Sequence, residues 1–311
     1  MNAVAVIRPS SFAQWLERVA PAEVKRNEPL APWCSVRAGG AADVLFRPKT
    51  PDSLVTALAM AKDSGTPISI LGLGANTLVG DLGVRGLTLK LPNSTFQEEI
   101  ALDPEGGTFV LSAGASIARL VTLMKQHQLV GAEFLAGVPG TIGGAVTMNA
   151  GTKNGECMSR VVAIEVATPD GLGWIPPPTF RYRHTDVPAG GVITRAKFRL
   201  PIGDVAASQA AMDADLGYRK RTQPLTQPNF GSVFTNPPGH AAGALIEKTG
   251  LKGHTIGGAQ ISTLHANWIV NLGDAKAHDV TSLMALAQTR VREMFGVELT
   301  PEVKRIGEFL P

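Results

Sequence analysis

The chain is poor in several things that usually announce a function. In 311 residues there are two cysteines, Cys34 and Cys157, two tyrosines and 5% aromatic residues. Two cysteines so far apart exclude a disulfide framework and a cysteine zinc site, and they fit a reducing compartment. The six histidines are scattered without H-E-x-x-H spacing, so no metal is expected. Lys and Arg number 29 against 26 Asp and Glu, with no basic run and no basic-aromatic interleaving, so nucleic acid is not an expected partner. A small anionic ligand suits the slight basic excess better. No uncharged run approaches the length of a membrane span, and residues 1–11 place Arg8 after a short apolar run with no cleavable leader. These absences predict a soluble, cytoplasmic protein whose length allows two domains and a real core.

What the chain has is glycine, 34 residues of it, concentrated in two places. Gly137-Val138-Pro139-Gly140-Thr141-Ile142-Gly143-Gly144-Ala145 runs into Met148-Asn149-Ala150-Gly151, and Leu71-Gly72-Leu73-Gly74-Ala75-Asn76-Thr77-Leu78 follows the apolar run 68–71 as a strand runs into a ligand loop. Glycine accepts positive φ and carries no Cβ, so such segments let a bulky anionic cofactor approach peptide N–H groups closely. Neither segment is a Rossmann fingerprint, since the third glycine and the following acid are missing, and neither has the lysine of a P-loop. An adenine dinucleotide held mostly by backbone, between two loops from different elements, is what survives.

Organisation is α+β. Thr50-Pro51-Asp52 reads as a helix start, with an apolar stripe at Leu54, Val55, Leu58 and Ala61 and a stop at Gly65. A second helix begins at Ser116, with Ile117, Leu120, Val121 and Met124 on one face. Residues 108–112, 161–167 and 192–200 read as strands, and 171–178 as a turn rich in Gly and Pro. Past residue 200 a polar helix (205–221) leads into Pro224, Pro228, Pro237 and Pro238. Strands are expected at 232–235 and 268–271, and a helix over 278–295 with Val280, Leu283, Met284, Ala287, Val291 and Met294 buried and Gly296 as its stop. The division this predicts is 1–200, in two α+β subdomains with a break near 90, and 201–311.

In order along the chain, Arg37-Ala38-Gly39-Gly40-Ala41-Ala42-Asp43, the two glycine segments, Tyr182-Arg183-His184-Thr185, Asn229-Phe230-Gly231-Ser232-Val233-Phe234-Thr235-Asn236-Pro237, Gly243-Ala244-Leu245-Ile246-Glu247-Lys248, His265-Ala266-Asn267 and Pro301-Glu302-Val303 resemble the motifs of the UDP-N-acetylenolpyruvoylglucosamine reductases. The resemblance covers the chain from about residue 30. It implies a fold like that of the vanillyl-alcohol oxidase (PCMH) group, with non-covalent FAD in 1–200 and a smaller α+β substrate-binding domain in 201–311 whose C-terminal segment returns to the active site. It also implies NADPH as co-substrate, UDP-N-acetylglucosamine enolpyruvyl ether as substrate, UDP-N-acetylmuramate for peptidoglycan as product, and a monomer. An FAD-dependent oxidase of the same architecture is the alternative, which would not need the C-terminal Ser and Glu motifs. Departures from the family pattern are Thr185 for the usual serine, Cys34-Ser35 for two threonines, Thr235 for lysine, and Thr152-Lys153-Asn154 for an aromatic-containing turn. The short stretch from Arg183 to Ser232 resembles the second, lid-less type.

The chemistry implied adds hydride to a double bond conjugated with a carboxylate. The resulting enolate needs charge stabilisation and a proton. The guanidinium of Arg183 suits the first task, since it can hold a carboxylate at two points. Arg181, two residues away on the same strand face, cannot be told from it by pattern, and the motif selects Arg183. By the resemblance Ser232 is the proton donor, and Glu302 partners the enolate through a shared proton. Arg37, Gly72, Leu73, Gly74, Ala75, Asn76, Thr77, Leu78, Gly114, Gly137, Val138, Pro139, Gly140, Thr141, Gly143, Gly144, Ala145, Asn149 and Gly151 are the expected cofactor residues. Lys220 and Arg221, for the diphosphate, with Asn229, Asn236 and His265, are the expected substrate residues.

Overall fold

The computed structural model describes residues 9–311; the N-terminal stretch read above lies, through Arg8, outside them. The chain divides into two compact units. One comprises Met1–Arg26, Val44–Gly72 and Gly86–Leu216, the other Asn27–Asp43, Leu73–Arg85 and Gly217–Pro311. Among the described residues no helix is long and apolar enough to cross a membrane.

In the first unit, helix Pro51–Ser64 forms for reasons visible in its sequence. Thr50 Oγ1 accepts the Ser53 N–H at 3.1 Å, the Ser53 hydroxyl accepts the Thr50 N–H at 3.4 Å, and Gly65 ends the helix at φ 63°. Its buried Leu54, Ala57, Leu58 and Ala61 join Phe12, Phe46, Leu87 and Leu89 in one core. Strand Ile68–Ile70 follows, parallel to Val84–Leu89 with Ile68 opposite Leu87, and carries the chain into the first glycine segment.

The second core of this unit lies against a five-stranded antiparallel sheet. Its strand order is Gly171–Ile175, Val161–Thr168, Val192–Pro201, Gly106–Ser112, Glu99–Asp103. Phe109, Leu111 and Phe198 from the sheet meet Ile117, Leu120 and Met124 of helix Ile117–Gln126 and Ile142 and Val146 of helix Ile142–Thr147. Each such side chain contributes about 1.5–3 kcal/mol by leaving water. The turn expected at 171–178 is corrected here: Gly171–Ile175 is a strand, with Gly171 opposite Thr168. The turn signal belongs to Pro169-Asp170, the two residues left between the pair, and Gly171 absorbs the reversal at φ 137°.

The second unit holds an antiparallel sheet in the order Asn229–Ser232, Trp268–Asn271, Ala259–Ile261, Thr255–Ile256, with helices Ala242–Lys248 and Ala277–Phe295. Strand Thr77–Val79, which begins within the end of the first glycine segment, pairs in parallel with Lys304–Ile306. The strand expected at 232–235 ends at Ser232. Gly231, at φ 79°, bends it, and the next residues bond elsewhere: Val233 N–H to Asn267 O, Thr235 N–H to Thr300 O. In helix Ala277–Phe295 the stripe from Val280 to Val291 is buried as expected, but Met294 is 59% exposed. At about 100° per residue it stays in phase with the stripe, but the last turn runs past the core.

Candidate active site

The glycines of the first unit are bare for different reasons. A Cβ on Gly72 would lie 2.8 Å from Thr141 Oγ1, so the two glycine segments touch there. One on Gly143 would lie 2.9 Å from the Ala113 Cβ, and the Ala113 carbonyl accepts the Gly143 N–H at 2.9 Å. Gly114 would overlap the Leu91 carbonyl and Gly151 the Gly155 carbonyl. Gly137 and Gly140 take φ of 70° and 142°. Gly144 differs. It is exposed, sits within helix Ile142–Thr147, and would meet only Thr141 Oγ1, at 3.4 Å. Alanine there would favour the helix by about 1 kcal/mol, and nothing in the protein forbids it. The space beside this backbone is open, so the residues present would fit a bulky bound group.

Arg183 occupies the second position of a two-residue turn. Phe180 pairs with Thr185 and Arg181 with His184, leaving Tyr182 and Arg183 between them. The expectation that Arg181 and Arg183 share a strand face is therefore corrected, because the strand ends at Arg181. Arg181 is exposed and pairs with Asp186 at 3.1 Å, and Asp186 also holds His184 Nε2 at 2.8 Å. Arg183 is half-buried at φ 57°, its guanidinium carbon 5.0 Å from the Tyr182 ring centre. A left-handed non-glycine residue costs about 1–2 kcal/mol, and such strain concentrates at functional positions.

Asn149 is expected among the cofactor contacts, but its side chain is wholly buried and spent on the protein. Nδ2 donates to Glu156 Oε2 at 2.7 Å and to the Arg181 carbonyl at 3.2 Å, and Oδ1 accepts the Met158 N–H at 3.0 Å. Leu78 and Ala145 are likewise buried.

In the second unit three stretches of chain converge. Glu302 N–H donates to the Val233 carbonyl at 2.8 Å, and Phe234 bridges Pro301, so Ser232 and Glu302, both half-buried, stand on adjoining segments. Asn76 of the glycine loop ties them to the third stretch: Nδ2 donates to the Glu302 carbonyl at 3.1 Å, and the Asn76 carbonyl accepts the Lys304 N–H at 3.0 Å. Asn267, buried, grips Phe234 from both sides, accepting its N–H at 3.0 Å and donating to its carbonyl at 2.8 Å. No property of the linear sequence marks Asn267 as the anchor of the segment after Ser232.

The expected substrate residues are more dispersed. Lys220 and Arg221 are exposed at the end of helix Val205–Thr222. Asn229 donates to the Pro224 and Gln227 carbonyls, and Asn236 Oδ1 accepts the Ala242 N–H, so both amides hold turns. His265 Nδ1 accepts the Asn267 N–H at 3.2 Å, and burial together with the charge of Lys252 holds its pKa below the usual histidine value. Arg37 is exposed at φ 55°, its carbonyl accepting Asn271 Nδ2 at 3.2 Å.

Residues 42–172 match the FAD binding domain family, and residues 223–306 match the family described as UDP-N-acetylenolpyruvoylglucosamine reductase, C-terminal domain. The chain is 61% identical over 303 residues to the UDP-N-acetylenolpyruvoylglucosamine reductase of Myxococcus xanthus, covering 97% of this chain and 98% of that one. The chain belongs to this reductase family. It is also 40% identical over 291 residues to the reductase of Nostoc punctiforme, covering 92% and 87%. Its fold matches the crystal structure of the Thermus caldophilus reductase with a TM-score of 0.77 at 34% identity, covering 91% of this chain and 99% of that one. An FAD-binding domain followed by the reductase C-terminal domain is the α+β architecture expected from the sequence.

Proposed function

We propose that this protein reduces the enolpyruvyl double bond of UDP-N-acetylglucosamine enolpyruvyl ether with NADPH, giving UDP-N-acetylmuramate for peptidoglycan synthesis. The observation that carries this reading is the joining, in the second unit, of the segments that bear Ser232, Glu302 and Asn76. An oxidase built on the FAD-binding domain alone has no use for it. When bound, FAD relays hydride from NADPH to the substrate.

Arg183 holds the substrate carboxylate through two parallel N–H bonds, and its charge offsets the negative charge that builds as the enolate forms. Ser232 gives its hydroxyl proton to the enolate carbon. A serine is a weak acid in water, but the carbon it serves is strongly basic, so placement governs the transfer. Glu302 hydrogen-bonds the enolate oxygen through a shared proton, and Lys220 and Arg221 receive the diphosphate. The bare backbone of 72–78 and 137–145 lies against the cofactor, although the N–H groups of Val138 and of 142–145 are spent within the protein. We place the protein in the cytoplasm, as a monomer, with no nucleic-acid or membrane partner.

Anaerobic titration tests the reading. One equivalent of NADPH should bleach the flavin band of the purified yellow protein, and the enolpyruvyl ether should restore it with UDP-N-acetylmuramate as product by mass spectrometry. Recovery with air but not with the ether would overturn it in favour of an oxidase.

A further inference from the structure

The turn that carries Arg183 is fastened at both ends to one short stretch of the cofactor-binding half. On its N-terminal side the Arg181 carbonyl accepts Asn149 Nδ2 at 3.2 Å. On its C-terminal side Thr185 Oγ1 donates to the Val146 carbonyl at 2.6 Å. Val146 lies in helix Ile142–Thr147, and Asn149 stands two residues beyond its end. Both are wholly buried, and Thr185 is 4% exposed. Asn149 is itself held by Met158 and Glu156, so the fastening does not swing.

Between the two fastenings stand only Tyr182, Arg183 and His184. A hairpin of two residues per strand has no stability of its own, and an arginine at φ 57° resists the conformation it is given. Surroundings must impose it. The salt bridges of Asp186 with Arg181 and His184 are exposed and too weak for the task. The two buried bonds are not, since losing either leaves a buried polar group without its partner.

We propose that Asn149 and Thr185 are positioning residues for Arg183. They fix the turn and thereby the direction in which the guanidinium meets the substrate carboxylate, in register with the segment that holds the cofactor. This rests on the role given to Arg183 above. It also accounts for threonine at 185, since the hydroxyl is the group the fastening uses.

Thr185→Val removes the hydroxyl at constant shape. Stopped-flow traces should show FAD content and the rate of flavin reduction by NADPH within twofold of wild type, and substrate-driven reoxidation slowed about ten- to a hundredfold, the range expected for a displaced charge donor. Thr185→Ser should restore reoxidation to within twofold. In an Arg183→Ala background, Thr185→Val should add no further loss, because Thr185 then has nothing left to position. If the Val variant does not retain FAD, Thr185→Ala, which leaves room for a water on the Val146 carbonyl, takes its place in the series. Wild-type reoxidation in these variants, failure of serine to rescue, or losses that multiply with Arg183→Ala overturn the proposal while the role of Arg183 stands. Wild-type reoxidation in Arg183→Ala alone overturns both.

Discussion

At the residue scale, the two half-reactions separate binding from chemistry. Arg183→Ala is expected to leave NADPH reduction of the flavin nearly intact and to slow reoxidation by substrate about a hundredfold or more, since only that step builds charge on the carboxylate. Equal damage to both steps, read in the same stopped-flow trace, would mean that Arg183 is structural. Ser232→Ala should still accept reducing equivalents and still bind the nucleotide sugar, with reoxidation slower by about 10² to 10⁴; Ser232→Cys should recover part of this, because a thiol also donates a proton. A solvent deuterium effect on reoxidation that persists unchanged in Ser232→Ala would assign the proton to another group. Arg183, Ser232 and Glu302 are singled out in the sequence only as members of motifs. Why Arg183 rather than Arg181 was not legible at all, because the answer is a turn, and the turn depends on Val146 and Asn149, more than thirty residues earlier. Amides such as Asn76, Asn149 and Asn267 are opaque in a sequence for the same reason. Their partners are chosen by the fold.

At the scale of elements, local signals were reliable where the structure satisfies them locally. Thr50, Ser53 and Gly65 both announce and build helix Pro51–Ser64. Glycine was harder to read, because chain-on-chain packing and ligand approach leave the same residue in the sequence. At Gly144 the space beside the backbone is open, as the approach of a ligand would require. Gly144→Val should therefore fold and lose its flavin; a folded variant with stoichiometric FAD by absorbance would displace the cofactor from this backbone. Helix Ala277–Phe295 offers a different test. Its first N–H groups are taken by Asp81, from Ala277 to Oδ1 and from His278 to Oδ2, each at 2.8 Å. Asp81→Ala should cost about 1–2 kcal/mol, seen as a lower denaturant midpoint at unchanged slope, with Asp81→Asn retaining part of the stability.

For the whole molecule, acid is the expected weakness. Hydrogen bonding to Arg199 holds the Asp103 carboxyl down at about 2, from 3.8. Asp186 is lowered by His184 and Arg181. Burial works against ionisation of Glu165 and Glu133, but Arg195 and Thr194 for the one, and the Gly131 N–H and Ser208 for the other, outweigh it and lower both. Each group binds its proton less readily folded than unfolded, so its contribution is present above the unfolded value, 3.8 to 4.5, and lost as pH falls through the folded one. His265 has the same sign from a higher start, its contribution fading below 6.5. Thermal midpoints should thus decline gently below about pH 6.5 and steeply below about 4.5, and His265→Gln should flatten only the gentle arm. A midpoint that rises on acidification from 6 to 4 would contradict this.

The parallel pairing of Thr77–Val79 with Lys304–Ile306 joins Thr77 to a position 304 − 77 = 227 residues later. A ribosome adds about 5–20 residues per second, so the strand behind the first glycine loop waits roughly 10–45 s for its neighbour. During that interval it is an unsatisfied edge, the kind of surface that chaperones shield. A nascent chain halted near residue 300 would still lack the backbone that steadies Asn76. Asn76 is therefore steadied only after residues 302–304 have been added.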